Sequence, residues 1–188
     1  MMLAELDAVL DYAQSVSIRV IAPSDLVEVL NDLTDMLIET VNSGDPLGFM
    51  PPIDEDIARD YWISLLPELR SGRVVLFVAM SEGSVVGSAQ LVPSRRGNSP
   101  HRAQIKKVFV DRLVRGRGVG TALMNAVEEL ALHYRRRLLV LTTRVGEPAH
   151  QWYRSLGYKE VGVVPGWTIG PDGERYDHVE MYKELDAR

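Results

Sequence analysis

Cysteine is absent from the 188 residues of this chain. Disulfide bonds, thiolate catalysis and cysteine-bound zinc are therefore excluded, and the absence favours a cytoplasmic location. Histidine is scarce, with four residues, and none of them stands at metal-ligand spacing from an acidic residue. We therefore expect no metal site.

Long apolar runs are also missing. The longest, residues 74–80, is far shorter than the roughly 20 residues that a helix needs to cross a bilayer. The N-terminus reads Met-Met-Leu-Ala-Glu, with an acid where a signal peptide carries basic residues. The sequence thus predicts a soluble protein with no membrane partner.

Positive charge is in deficit, because 21 Lys and Arg stand against 26 Asp and Glu and give a net charge of −5. Such a chain does not attract nucleic acid as a whole, so an anion site must come from local clustering. Apolar residues make up 46% and charged residues 25% of the chain, which is typical of globular proteins. The length predicts one domain, at residues 17–188, after an N-terminal helical extension at residues 1–16.

The apolar periodicity predicts elements in the order β, α, α, β, β, β, α, β, α, β, β. The clearest is a helix at residues 118–134, whose apolar positions follow a 3.6-residue period. The last two strands are predicted at residues 158–164 and 179–182, with a glycine-containing loop between them that holds Trp167. These elements predict an α+β fold, an α/β three-layer sandwich in which helices flank one central sheet.

A glycine-rich segment, Arg115-Gly116-Arg117-Gly118-Val119-Gly120, precedes this helix. Alternating glycines let backbone N–H groups approach a ligand closely, and a helix N-terminus carries partial positive charge and unpaired donors. The helix has no acid before Glu128, although acids in the first turn stabilise most helices. Two arginines at its entrance suit a ligand that brings its own negative charge.

Known phosphate motifs narrow the choice of ligand. A dinucleotide fingerprint would need glycine at Thr121, and a P-loop would need a lysine, so both fail. Arg115, Gly118 and Gly120 match the pattern R/Q-x-x-G-x-G/A, which resembles the pyrophosphate-binding motif of the GNAT acetyltransferases. A glycine-rich tight turn before a helix is the alternative interpretation.

The flanking segments resemble the same family. Residues 107–111 are similar to its fourth strand and residues 149–158 to its A-x-x-x-Y-x-x-x-G-F/Y segment, so the resemblance covers roughly residues 72–164. The loops at residues 39–50 and 165–173 are similar to those of the tabtoxin-resistance acetyltransferases, a subgroup that acetylates a small amine-bearing toxin. The resemblance implies the GNAT fold, with a mixed, mostly antiparallel sheet, and acetyl-CoA as cosubstrate. It also implies an N-acetyltransferase that acts on a primary amine of a small molecule by direct attack in a ternary complex.

The resemblance further implies which residues act. The strand backbone pairs with the pantetheine arm and supplies an oxyanion donor beside a bulge, and the loop and helix start bind the pyrophosphate. A tyrosine, whose pKa is ordinarily near ~10, protonates the departing thiolate. The cofactor-binding residues are then Val108, Phe109, Val110, Arg115, Gly116, Arg117, Gly118, Val119, Gly120, Thr121 and Tyr153.

The general base does not carry over from the family. Many members have a glutamate where this chain has Gln104, and the tabtoxin-resistance subgroup has an aspartate where it has Thr142. Neither residue accepts a proton at neutral pH. One hypothesis is a water chain ordered by Gln104 and Thr142, which makes Gln104 a catalytic candidate together with Tyr153. The titratable residues expected near the site, each as a surface residue, are His101, Glu147, His150 and His178.

Phe49, Trp167 and Thr142 are the candidates for the acceptor pocket, and Phe49 and Trp167 are predicted to lie in loops. Trp62, at helical spacing, is expected in the core, and the Arg95-Arg96 pair is a candidate for the nucleotide 3′-phosphate. Two other functions stay open: a protein N-terminal or lysine acetyltransferase, which would need an open groove, and a non-catalytic acetyl-CoA-binding regulatory module. Many members of the family pair, so a homodimer is a further expectation.

Overall fold

The computed structural model of the protein describes residues 15–45 and 47–186. Contacts divide the chain into two compact units. Unit 1 holds the described residues up to Leu91 together with Lys107–Glu129, and unit 2 holds Val92–Lys106 together with the described residues from Leu130 onward. The predicted helical extension lies outside the described residues except for residues 15 and 16, so its boundary with a domain at 17–188 stays a prediction.

Unit 1 begins with a strand and three helices. Strand β1 covers Ser17–Ile21, and helices α1, α2 and α3 cover Leu26–Asn42, Glu55–Ser64 and Leu66–Arg70. Trp62 of α2 is fully buried and donates its indole N–H to the carbonyl oxygen of Leu33 at 3.0 Å. The expectation that Trp62 belongs to the core is thus confirmed.

A hairpin and a helix complete unit 1. Strands β2 (Val75–Ser81) and β3 (Ser84–Pro93) are joined by Glu82 and Gly83, which both have positive φ, as a two-residue hairpin turn requires. Strand β4 covers Arg102–Val110, a 3₁₀ turn covers Arg112–Val114, and helix α4 covers Val119–His133. The helix predicted at residues 118–134 is therefore confirmed.

The close approach of β3 to the start of α4 depends on Gly87. A Cβ atom there would lie 2.9 Å from Cδ1 of the fully buried Leu123 and 3.3 Å from the carbonyl oxygen of Phe109. Neither neighbour can move freely, because interiors are close-packed. The absence of a side chain at position 87 therefore lets α4 begin this close to β3.

Unit 2 contains the first half of β4 and the end of the chain. Strand β5 covers Leu138–Arg144, helix α5 Pro148–Ser155, strand β6 Lys159–Ile169 and strand β7 Arg175–Glu184. Within the described residues the hydrogen-bonded strand order is β1-β2-β3-β4-β5-β7-β6, with β4 and β5 parallel and β7 antiparallel to both β5 and β6. The predicted α+β class, with a mixed, mostly antiparallel sheet flanked by helices, is confirmed.

The loop predicted between the last two strands is mostly strand, so the prediction that Trp167 lies in a loop is wrong. Pairing of β6 with β7 continues from Val164↔His178 across a register shift to Thr168↔Tyr176. The bulge accommodates Pro165 and Gly166, and Gly166 takes a φ of +60°. Proline and glycine at positions 165 and 166 predicted the end of the strand, but pairing with β7 continues the strand past them.

The strands of unit 2 have two unlike faces, because successive side chains point to opposite sides of a sheet. One face is buried, and it carries Ala103, Ile105, Leu139, Leu141, Val179 and Met181. The opposite face of β4, β5 and β7, here called the polar face, carries Arg102, Gln104, Thr142, Arg144, His178 and Glu180, none of which is fully buried. The register therefore gathers the polar side chains of three strands on one surface.

Candidate active site

The glycine-rich loop of unit 1 has the backbone that its sequence predicts. Gly116 and Gly118 have φ values of +77° and +83°, in the left-handed region that a Cβ atom disfavours. Residues 115–118 are exposed, whereas Val119 is buried and anchors the start of α4. The main chain of the loop is thus exposed to solvent, while the buried Val119 fixes its C-terminal end.

Helix α4 supplies donors without acids at its N-terminus. Its first intrahelical bond runs from the N–H of Ala122 to the carbonyl oxygen of Gly118 at 2.9 Å, so the N–H groups of the first turn have no intrahelical acceptor. The first turn contains no acidic residue. This arrangement fits the diphosphate of a nucleotide-linked cosubstrate.

The side chain of Arg115 ties the loop to its surroundings. Its Nε donates to the carbonyl oxygen of Val110 at 2.9 Å, and its guanidinium pairs with the Asp45 carboxylate at 2.7 Å. Asp45 in turn donates its N–H to Thr40 at the end of α1. An exposed pair of this kind contributes little stability, but two fixed contacts orient the loop. Arg115 therefore positions the loop backbone, and two of its guanidinium nitrogens already have acceptors within the protein.

The strand segment before the loop has an unusual backbone at Lys107, whose φ is +50°. A left-handed residue inside a strand interrupts the regular ladder. It stands directly before Val108, Phe109 and Val110, where the family resemblance implies a bulge. The side chain of Phe109 is buried and its ring centroid lies 6.4 Å from that of Trp62, so this residue offers a ligand only its main chain.

Phe49 belongs to a cluster with Tyr61 and Lys107. The two rings meet edge to face at 5.3 Å, and Lys107 Nζ lies 4.5 Å from the Phe49 centroid and donates to the Leu47 carbonyl oxygen. Burial raises the pKa of Tyr61 to about 12, although a hydrogen bond donated by Gln90 opposes this rise. Phe49 lies in a loop as predicted, and this packing holds it there.

Tyr153 lies on α5 of unit 2 and is 7% exposed. Its ring centroid is 4.8 Å from that of Trp152 and 5.8 Å from that of Tyr158. Burial in this aromatic environment raises the pKa of the Tyr153 hydroxyl well above its usual value. The hydroxyl therefore stays protonated over the working pH range, as a proton donor must.

His150 was expected at the surface, and that expectation is wrong. The residue is 8% exposed and its Nε2 lies 2.9 Å from a carboxylate oxygen of Glu160. The same oxygen lies 3.2 Å from Nε of Arg154. The i+4 spacing of His150 and Arg154 on α5 brings both to one carboxylate on β6, and a structural role accounts for all three.

The polar face of unit 2 carries Gln104 and Thr142, the two residues that the sequence resemblance aligns with carboxylates. Gln104 lies opposite Val140 in the β4–β5 register, and Thr142 lies opposite Glu180 in the β5–β7 register. Directly opposed side chains have Cβ atoms about 5 Å apart, so Glu180 lies beside Thr142, where the resemblance to the tabtoxin-resistance subgroup predicts an aspartate. Sequence reasoning missed Glu180 because only strand register relates it to Thr142.

Trp167 and His178 lie side by side at one end of this face. Their rings are stacked with centroids 6.2 Å apart, and His178 Nε2 is 3.0 Å from Oγ1 of Thr168. Burial, and then the positive charge of Arg144, lower the pKa of His178. Trp167 is 50% exposed, which leaves part of its ring available for contact.

Two other features bear on the class of site. No group of three or more His, Cys, Asp or Glu side chains is placed to hold a metal ion within residues 15–45 and 47–186. In the same part of the chain, no helix has both the length and the apolar character that crossing a membrane requires.

Comparison with known proteins gives consistent matches. A model of the acetyltransferase (GNAT) family matches residues 37–158. An uncharacterized N-acetyltransferase of Azospirillum brasilense is 34% identical over 119 residues, which are 61% of this chain and 68% of that protein. N-acetylaspartate synthetase of Xenopus tropicalis is 38% identical over 99 residues, 49% of this chain. The match covers only 35% of that longer protein.

Solved structures of acetyltransferases have the same fold as this chain. The crystal structure of ribosomal-protein-alanine N-acetyltransferase from Brucella melitensis aligns with a TM-score of 0.73 and 25% identity. The alignment covers 90% of this chain and 99% of that one. No finding tests the similarity to the tabtoxin-resistance subgroup, which stays a prediction.

The loop analysis predicts the effect of removing its special residues. In the double variant Arg115→Ala/Gly118→Asp, the rise in melting temperature that acetyl-CoA causes in the native protein should vanish, because the loop loses its backbone conformation and gains a negative charge. Gly72→Asp is the control, since Gly72 also has a left-handed φ, of +63°, with open space around it. Differential scanning fluorimetry with and without acetyl-CoA makes the comparison. A full ligand-dependent rise in the double variant would contradict the assignment.

Proposed function

Because the chain belongs to the GNAT family of acetyltransferases, we propose that it transfers the acetyl group of acetyl-CoA to a primary amine of a small molecule. The observation that carries this proposal is the exposed loop with left-handed Gly116 and Gly118 at the acid-free start of α4. Acetyl-CoA is the cosubstrate of the family. Its diphosphate needs several N–H donors, and the first turn of α4 offers them without an acid of its own.

The loop and the strand before it would hold the cosubstrate. The backbone N–H groups of residues 116–121 donate to the diphosphate, and Arg115 and Arg117 add positive charge. The main chain of Val108–Val110, after the left-handed Lys107, pairs with the pantetheine arm and supplies the donor for the carbonyl oxygen. These roles follow from the family and stay proposals.

When bound, acetyl-CoA supplies an activated thioester carbonyl. The amine nitrogen forms a bond to that carbon, the carbon–sulfur bond breaks, and the products are an amide and the free thiol of CoA. The Tyr153 hydroxyl gives its proton to the sulfur, and the proton released by the amine goes to a base. The raised pKa of Tyr153 keeps the hydroxyl protonated before the reaction, as a general acid must be.

Glu180 is our proposal for the base, among the titratable groups of the polar face. Its carboxylate lies opposite Thr142 on the neighbouring strand, so the acid of relatives would here be supplied by β7 instead of β5. Gln104 and Thr142 cannot take a proton, but both can order a water between the amine and Glu180. This division of tasks accounts for the two replaced carboxylates.

A small-molecule acceptor is favoured over a protein by two observations. The matched synthetases are named for a small product, N-acetylaspartate. Trp167 presents a half-exposed ring stacked on His178, and with Phe49 and Thr142 it is our proposal for the acceptor contacts. The likeness to ribosomal-protein-alanine N-acetyltransferase favours protein N-terminal acetylation as the second candidate. The homodimer and the cytoplasmic location stay predictions.

The direct test supplies acetyl-CoA with a panel of small primary amines, or with peptides that have free N-termini, and measures the release of free CoA. The proposal predicts release that depends on a small amine and matches amide formation mole for mole. Turnover restricted to peptides would favour the second candidate. Binding of acetyl-CoA without turnover on any amine would favour a regulatory module.

Replacing Tyr153 by phenylalanine keeps the ring and removes the proton donor. We expect kcat to fall about 100-fold, while the acetyl-CoA concentration for half-maximal binding is unchanged. Because burial raises the pKa of Tyr153, the native enzyme should show no alkaline loss of kcat up to pH 10. Tyr134→Phe, at a half-exposed tyrosine, serves as the control. An unchanged kcat in Tyr153→Phe would remove the residue from the mechanism.

Replacing Glu180 by glutamine should lower kcat about 100-fold at pH 7. The loss should shrink as pH rises, because more of the amine is then neutral without help from a base. Glu184→Gln is the matched control, since Glu184 lies on the same strand and the same face, opposite Leu138. A loss that is equal at every pH, or equal in both variants, would argue against Glu180 as the base.

A further inference from the structure

A cavity of about 370 Å³ lies beside Gln104 on unit 2. Its lining includes the end of β3, the start of β4 and Val140 of β5, and it contains three arginines, Arg95, Arg96 and Arg102. Among the described residues, none that lines the cavity is acidic. In a chain with net charge −5, three cations around one cavity form a local positive potential that attracts an anion.

Among the described residues, no carboxylate neutralises the charge of Arg96 or of Arg102. In the part of the chain that the structure describes, neither Arg96 nor Arg102 forms an ion pair with a carboxylate. Like charges held close together repel, and an anion would relieve that repulsion. A guanidinium is also the side chain best shaped to bind a carboxylate through two parallel hydrogen bonds.

The segment between β3 and β4 is held by its own hydrogen bonds. The N–H of Ser94 donates to the carbonyl oxygen of Arg102 at 2.9 Å, and the N–H of Ser99 donates to that of Arg96 at 3.0 Å. The hydroxyls of Ser94 and Ser99 lie 2.8 Å apart. Arg96 and Arg102 therefore project from a backbone that is fixed before any ligand arrives, which lowers the entropic cost of binding.

Strand geometry relates the cavity to the transfer chemistry. Arg102 and Gln104 are two residues apart on β4 and so lie on the same face, with Cα atoms about 6.6 Å apart. The same polar face continues to Thr142 and Glu180. An anionic group at Arg102 would thus place the rest of a small acceptor over Gln104, on the same face as the proposed base.

We propose that this cavity binds a carboxylate of the acceptor, so that the substrate is an amino acid or a related small amine that carries a carboxylate besides the reacting amine. This inference rests on the proposed acetyl transfer and adds the class of its acceptor. The alternative anion is the 3′-phosphate of acetyl-CoA, for which Arg95 and Arg96 are sequence candidates. The position of Gln104 in the lining favours the acceptor.

The kinetic test compares acceptors that carry two, one or no carboxylates, namely aspartate, asparagine and β-alanine amide, with native protein and with Arg96→Gln and Arg102→Gln. We expect each variant to raise KM for aspartate at least 10-fold, with less effect on the uncharged amide and none on acetyl-CoA. Arg70→Gln, at an exposed arginine in the last turn of α3, should match native protein. Equal use of all three acceptors by native protein would overturn the proposal.

A binding test separates this proposal from the proposed function. Succinate, a dicarboxylate without an amine, should raise the melting temperature of native protein and of Arg70→Gln but not of Arg102→Gln, whether or not any amine turns over. Succinate binding without turnover on any amine would leave the cavity supported and the acetyl transfer rejected.

A third measurement, of acetyl-CoA binding to native and variant proteins, distinguishes an acceptor carboxylate from the 3′-phosphate of the cosubstrate. If the arginine variants weaken acetyl-CoA binding, and 3′-dephospho-acetyl-CoA binds native and variant proteins alike, the arginines bind the cosubstrate and the proposal is wrong. Absence of any succinate effect on native protein would overturn it as well.

Discussion

The structure depends on how the main chain turns from a strand into α4. Two left-handed glycines and a buried Val119 leave a set of N–H donors exposed at a helix N-terminus that has no acid of its own. A folded protein tolerates such unpaired donors where water or a ligand completes them. Gly87 lets β3 approach the start of α4 closely, so the packing of the sheet and the glycine-rich loop are parts of one arrangement.

In unit 2 the alternation of side chains along the strands decides which residues can act on a substrate. One face is apolar and buried, and the other brings Gln104, Thr142 and Glu180 together from three strands. A carboxylate on β7 faces the same space as one on β5 would, because opposed residues share a face. Strand pairing would thus allow the proposed base to lie on β7 while the fold is kept.

Sequence reasoning predicted the features whose causes are local. The glycine loop, the acid-free start of α4, the buried Trp62 and the order of elements, apart from the short helix α3, all follow from short-range patterns. Glu180 was missed and Trp167 was placed in a loop because both depend on the register of β7. The burial of His150 follows from Glu160, ten residues away on another element, and periodicity alone carries no information about such a partner.

A crystal structure of the protein soaked with acetyl-CoA tests the central claim most directly. The account predicts that diphosphate oxygens lie within about 3.2 Å of backbone N–H groups of residues 116–121. Density for the cosubstrate at another place, with the turn before α4 empty, would contradict it.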